Sequence, residues 1–286
     1  MIAPFEVVEP TDGETPVVVE VPHAGVHVDP ESLAYLTAPA QRIGHDADLY
    51  VDELFQDAPR EGATLLVSRM SRYVVDLNRG PDDYDAEAAE GGRAGSFPRG
   101  LFWRLTTEGE RLVAAPLPRA EVERRLELVY RPYHRALAAL LDRKLARFGY
   151  AVLLCAHSMP SLARGGVEPA PHRADLVPGT RGRTSAAGLV IDTVDALARK
   201  QGWHVRHDDP YKGGYATSHY GRPHRGVHAI QIEIARRLYM DEPTLTRIPK
   251  GCQAVRQFGR TLAARLAFHH LPAPLDLLGP ERPRAT

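Results

Sequence analysis

Four apolar runs in this chain carry a side chain that burial ordinarily excludes. His23 follows "TPVVVEVP", Asp76 sits inside "YVVDLNR" with Asn78 and Arg79 behind it, His157 follows "AVLLCA", and Glu233 stands within "AIQIEI". Polar groups at such positions are stable only when they are paired or face a polar crevice. Two histidines meeting one carboxylate make a catalytic zinc site, in which three protein ligands leave the fourth position for water. A further carboxylate beside the ion then carries the proton. Glu233 suits that task if its run ends at a crevice; a buried ion pair with Arg79, Arg236 or Arg237 is the competing reading. Arg72, Asn78 and Arg79 flank one β-rich run. The planar fork of arginine is the preferred partner of a carboxylate, so two arginines near a metal select an anionic substrate, with Asp76 orienting one of them. Singly each signal is weak. A lone histidine at a strand end is commonly structural, and an Asn-Arg pair is commonly a surface turn.

Composition narrows the chemistry further. Cys155 and Cys252 are the only cysteines, so neither a disulfide framework nor a thiolate zinc site is available. A metal must be held by carboxylates and by some of the 13 histidines. Cys155 lies in an apolar run, where burial raises a thiol pKa and leaves it inert. Lys and Arg number 36, as do Asp and Glu, so no net positive field exists to hold nucleic acid. No basic stretch precedes an apolar run at the N-terminus, and no run approaches the roughly 18 apolar residues of a membrane span. The expectation is a soluble, cytoplasmic protein with a small-molecule substrate. "GTRGRTS" lacks the lysine and spacing of a phosphate loop and reads as a loop with a helix cap at Thr184 or Ser185. Neither a G-x-S-x-G nor an H-E-x-x-H pattern occurs.

The elements that must position these residues follow from periodicity. "TPVVVEVP", Ala63 to Val67, Tyr73 to Leu77, "AVLLCAHSMP", "GWHVRHDD" and "VHAIQIEI" read as strands. "DADLYVDELFQD", residues 118–149 with Pro132 marking a start or a kink, "AAGLVIDTVDALARKQG" and "GCQAVRQFGRTLAARLAFHHL" read as helices. Three irregular stretches, "GPDDYDAEAAEGGRAGSFPRG", "SLARGGVEPAPHRADLVPGTRGRTS" and "PYKGGYATSHYGRPHRG", read as long loops. Strands alternating with helices predict a single α/β domain over residues 1–270 with a mostly parallel sheet, and residues 271–286 a proline-rich tail. A parallel sheet brings the carboxyl ends of its strands to one edge, where residues distant in sequence converge.

The ordered motifs "VPHAG", "HDADLYVDELF", "SRYVVDLNR", "VYRPYH", "CAHSMP", "RADLVPGTRGRTS", "PYKGGYATSHYGRP" and "QIEIARRLYMDE" resemble the N-formylglutamate amidohydrolase family over nearly the whole chain. That family is similar to the zinc carboxypeptidases and aspartoacylases, so the resemblance implies a central mixed sheet flanked by helices and one zinc ion. It also implies hydrolysis of N-formyl-L-glutamate to formate and glutamate, the last step of one histidine degradation route. By the same resemblance His23 and His157 are metal ligands and Glu233 is the general base and acid. Asn78 and Arg79 grip the substrate carboxylate, and Arg72 polarises the scissile carbonyl. Tyr215 and Thr217 line the substrate pocket, and His134 and Asp175 line it or support the ligands.

One departure shifts the third ligand. An acidic ligand follows the first histidine by three residues in the carboxypeptidase pattern, yet Val26 stands there. Asp46 is the first choice to replace it and Asp48 the second, with Asp29 and Glu31 in a loop that matches no motif. A second cation for a dicarboxylate substrate is expected at Lys212 or Arg222. A larger acyl group, another amino acid or a small peptide are alternatives within the hydrolase reading. A relative that binds amino acids without turnover is the alternative outside it.

Overall fold

The structure, a computed structural model, describes residues 2–163 and 170–267; the expected tail lies outside them. Six strands form one sheet: β1 (Phe5–Val8), β2 (Val17–Val21), β3 (Thr64–Ser68), β4 (Ala151–Met159), β5 (Leu176–Gly179) and β6 (Val227–Ala235), in the order β1-β3-β2-β4-β6-β5. The four inner strands run parallel, and β1 and β5 pair antiparallel at the two edges. The expected α/β domain with a mixed, mostly parallel sheet is therefore the one observed. Inner strands covered on both faces need apolar side chains throughout, which is why β2, β3 and β4 are buried at every position.

Alternation along β4 divides the core. Val152, Leu154 and Ala156 pack with Val190, Ile191 and Val194 of α6 (Gly188–Lys200) and with Val255, Phe258 and Leu262 of α8 (Pro249–Ala267). Ala151, Leu153 and Cys155 face Tyr133, Leu137, Leu140 and Leu141 of α5 (Arg131–Phe148), whose spacing places them on one helical stripe. Truncating a residue such as Leu154 to Ala costs about 2 to 5 kcal/mol through lost transfer energy and the cavity left behind. Gly149, at φ 77°, takes the left-handed conformation that ends α5 and turns the chain into β4. Pro132 lies in the first turn of α5, directly after a wider π turn over Leu126–Tyr130 that continues α4 (Arg119–Arg125). The β2–β3 connection carries three short helices, α1 (Pro30–Leu33), α2 (Gln41–Asp46) and α3 (Val51–Leu54), and α7 (Tyr215–Tyr220) lies between β5 and β6.

Two expected strands are absent, for identifiable reasons. Tyr73 to Leu77 is buried but turns instead of extending. The backbone N–H of Val74 donates to Ser71 O, that of Asn78 to the Asp76 carboxylate, and Arg125 donates to Tyr73 O and Val74 O, so the segment's polar groups are engaged by turns and side chains. "GWHVRHDD" makes only a single bridge, Val205 to Leu176. That edge of the sheet is formed by β5, "LVPG", where Pro178 is tolerated because an edge strand has a full ladder on one side only. The helix expected over "DADLYVDELFQD" shortens to α3, and the glycine-rich "PYKGGYATSHYGRP" contains α7. Among the described residues no helix is long and apolar enough to cross a membrane.

Candidate active site

His23 stands two residues beyond β2 and His157 near the end of β4, neighbouring parallel strands, so both imidazoles emerge at the same sheet edge. Their ring centroids are 4.9 Å apart. Asp48 completes the group: its Oδ2 is 3.0 Å from His157 Nδ1 and 3.6 Å from His23 Nδ1. One ligand atom from each residue lies within 4.8 Å of the others, and all three side chains are buried. The backbone N–H of Asp48 donates to His23 O at 2.9 Å, tying the loop after α2 to the loop after β2. Two imidazoles and one carboxylate at this spacing fit a divalent transition metal and match the donor set of catalytic zinc.

The surrounding shell fixes these three side chains. His23 Nε2 is 2.8 Å from Asp76 Oδ1, the carboxylate–histidine pairing that orients a metal-binding ring. Asp76 is fully buried, and its Oδ2 accepts from Arg72 Nη2 at 2.7 Å and from Trp103 Nε1 at 3.0 Å. Burial pushes the Asp76 carboxyl up, but the charges of Arg72, His23 and Arg79 outweigh it and hold it well below the usual carboxylate range. Asp48 behaves likewise: desolvation raises its pKa, and hydrogen bonds to His157 and His23 bring it well below. Asn78 Nδ2 lies 3.3 Å from His157 Nε2 and donates to Gln231 Oε1 at 3.1 Å, while its Oδ1 accepts the Ala216 N–H.

Glu233 is set beside His157 by sheet register, the two being cross-strand partners of β4 and β6. Its Oε1 accepts from Gln231 Nε2 at 2.8 Å. No lysine or arginine among the described residues pairs with it: Arg236 turns to Ser158 and the 45–48 loop, Arg237 to Asp175, and Arg79 to backbone carbonyls. The competing ion-pair reading is thereby removed. Burial, assisted by Asp48 and opposed by His157 and Arg72, raises the Glu233 carboxyl to about 7.

A cleft of about 340 Å³ opens over this floor, with Arg72, Arg79, Arg173, Lys212 and Arg236 among its lining. Arg72 uses Nε and Nη2 on Asp76 and stacks 4.5 Å above the Trp103 ring. Arg79 donates to Arg99 O and Asn78 O and makes no ion pair among the described residues.

Several expected residues have other partners, and some of them, Asp46 included, still line the cleft. The Asp46 carboxylate accepts from Tyr73 Oη at 2.7 Å and from the Thr107 N–H and hydroxyl, so it clamps the 104–112 segment, and the histidines meet Asp48. Thr217 is fully buried with its hydroxyl toward Cys155, and Tyr215 stacks on His219; neither lines the cleft. Asn78 does line it, but its amide is engaged by protein groups. His134, its pKa pushed down to about 4 by burial, bridges Tyr220 Oη and Leu77 O. Asp175 pairs with Arg237. Arg222 lines a separate depression with His219 and Tyr220, whereas Lys212 is in the cleft. Asp29 caps α1, and both it and Glu31 pair with Arg124. Sequence reasoning missed Arg173 and the fastening role of Arg236, because an arginine in a loop or just past a strand carries no periodic signal.

Comparison with known proteins shows the family. The profile of the N-formylglutamate amidohydrolase family matches residues 15–240. N-formylglutamate deformylase of Pseudomonas putida is 34% identical over 237 residues, covering 80% of this chain and 84% of that protein, and the Pseudomonas aeruginosa enzyme is 35% identical over the same shares. The crystal structure of N-formylglutamate amidohydrolase from Ralstonia eutropha JMP134 superposes with a TM-score of 0.83 at 31% identity, over 93% of this chain and 98% of that one. A protein from Agrobacterium tumefaciens shares the fold at a TM-score of 0.63 and 19% identity, over 92% and 95% of the two chains. The buried His-Asp-His group, the adjoining glutamate and these likenesses converge: the chain belongs to the N-formylglutamate amidohydrolase family.

Proposed function

We propose that this protein hydrolyses the amide bond of N-formyl-L-glutamate to formate and L-glutamate, with one zinc ion held by His23, Asp48 and His157. The observation that carries the reading is the His-Asp-His group one strand away from a buried glutamate that has no lysine or arginine partner among the described residues. The ion, when bound, supplies Lewis acidity that draws the pKa of water toward about 7. Glu233 accepts the proton of the attacking water as its oxygen adds to the formyl carbon. The same carboxyl then delivers that proton to the amine nitrogen as the C–N bond breaks. Gln231 holds one Glu233 oxygen and leaves the other for this transfer.

Arg72 supports the developing oxyanion. Its Nε and Nη2 are fixed on Asp76 and its Nη1 makes a long, 3.5 Å bond to Asp46 O, which holds the guanidinium in the cleft lining, and donors of this kind are commonly worth about 3 to 4 kcal/mol. Arg79 takes one substrate carboxylate, since its guanidinium is braced on two carbonyls and makes no ion pair among the described residues. Asn78 braces His157 and α7, and through them the floor.

Metal analysis combined with a formate-release assay on N-formyl-L-glutamate tests the reading. Glu233→Gln is expected to retain the metal, keep KM within a few-fold, and lose about 10²- to 10⁴-fold in kcat. Metal-loaded wild-type protein that releases no formate from any N-formyl amino acid, or wild-type turnover by Glu233→Gln, would overturn it.

A further inference from the structure

Five cationic side chains line the cleft, and two are already neutralised or engaged. Arg72 is paired with Asp76, and Arg236 stands 3.5 Å from Asp48 while donating to loop carbonyls. Arg79, Arg173 and Lys212 form no ion pair with an aspartate or glutamate among the described residues. In the reading above Arg79 meets one carboxylate, which leaves Arg173 and Lys212 without a counterpart among the described residues.

We infer that Arg173, seated on Tyr211, binds the side-chain carboxylate of the substrate and makes this site selective for acidic N-formyl amino acids. The inference rests on the function proposed above and names the residue that sets its specificity. Arg173 Nη1 donates to Pro160 O at 3.1 Å and to Tyr211 Oη at 3.2 Å, and the guanidinium lies 5.5 Å from the centre of the Tyr211 ring. One nitrogen therefore fixes the plane of the fork, and Nε and Nη2 remain for two parallel bonds to a carboxylate.

The backbone beneath Arg173 is held from both sides. Its N–H donates to Ser161 O at 2.8 Å, just past β4, and its carbonyl accepts from Arg237 Nη2 at 3.0 Å, just past β6. These are the strands that carry His157 and Glu233, so the fork stands at a fixed offset from the reacting amide. That offset is the feature that discriminates one side-chain length from another. Lys212 lacks such fastening: it is exposed, and only its backbone carbonyl is held, by the Arg181 N–H. A flexible ammonium attracts an anion but fixes no geometry.

The test compares kcat/KM for N-formyl-L-glutamate and its neutral isostere N-formyl-L-glutamine in wild type, Arg173→Met, Arg173→Lys and Lys212→Met. The inference expects Arg173→Met to lose about 100-fold or more on the glutamate substrate, as for truncating a charged hydrogen-bonded pair, and to stay within about 3-fold on the glutamine one. Arg173→Lys recovers part of the loss, and Lys212→Met changes both substrates alike by less than about 5-fold. Equal losses on both substrates in Arg173→Met and Arg173→Lys would make Arg173 a scaffold residue and overturn the inference, as would a glutamate-selective loss in Lys212→Met alone. Wild-type protein inactive on both substrates would instead remove the proposed reaction itself, and with it this refinement.

Discussion

Arg236 donates to Ala47 O at 2.6 Å and stands 3.5 Å from Asp48 Oδ1, so the chain segment leaving β6 fastens the loop that brings Asp48 to the two histidines. The guanidinium also donates to His45 O and to Ser158 Oγ, a neighbour of His157. One buried side chain thus spans the loop and two strands that build the site.

Replacing Arg236 with Met is expected to leave the ligands present but their loop loose. Outer residues of this kind typically change metal affinity by about 10- to 100-fold, and the buried Asp48 charge loses a neighbour that stabilises it. Zinc affinity measured by competition with a chromophoric chelator checks this. Unchanged affinity in a folded Arg236→Met protein would show that the 45–48 loop holds its place without it.

Asp46 and Asp48 separate cleanly by substitution. Asp48→Asn is expected to abolish stoichiometric metal and reduce formate release to background. Asp46→Asn retains the metal and loses stability of about 1 to 3 kcal/mol, because the Thr107 and Tyr73 donors lose a charged acceptor. Metal content and chemical denaturation of the two variants decide it, and a metal-free Asp46→Asn would reverse the assignment.

Asp76→Asn is expected to weaken both functions of the carboxylate. The pair with His23 is lost as an anionic acceptor, lowering zinc affinity by about 10- to 100-fold. Arg72 loses its counter-charge, and breaking a buried pair from one side costs about 3 to 5 kcal/mol. A variant equal to wild type in metal affinity and denaturation midpoint would contradict this.

The raised pKa of Glu233 gives a pH dependence with a definite sign. A folded-state value of about 7 lies above the unfolded value of about 4.3, so the folded state binds the proton more tightly. The stability tied to that proton is fully present in acid, below the unfolded pKa, and is progressively lost as pH rises toward and through 7. For metal-free protein the loss between acid and pH 8.5 is on the order of 3 kcal/mol. Glu233→Gln carries no such proton, so its stability relative to wild type should climb over the same window. Parallel curves for the two proteins from pH 4.5 to 8.5 would show that Glu233 titrates normally.

The α/β class and the strands that place His23, His157 and Glu233 were legible from apolar runs that end in ionisable groups. Those signals are local: a β-branched run declares a buried strand, and an ionisable group at its end declares a place where burial stops. The choice between Asp46 and Asp48 was not legible, because the two are two positions apart in one motif and only the end of α2 decides which turns toward the histidines. Tyr73 to Leu77 has strand composition, yet Arg125 and the Asp76 carboxylate, 49 positions apart, take up the backbone groups that a ladder needs. Arg173 reaches the cleft wall through Pro160, Ser161 and Arg237, contacts that sequence spacing does not encode. The sequence by itself determined which side chains exist to bind a metal and move a proton, whereas the packing of distant segments decided which of them share one sphere, because proximity across a sheet edge follows from register and loop anchoring and not from order along the chain.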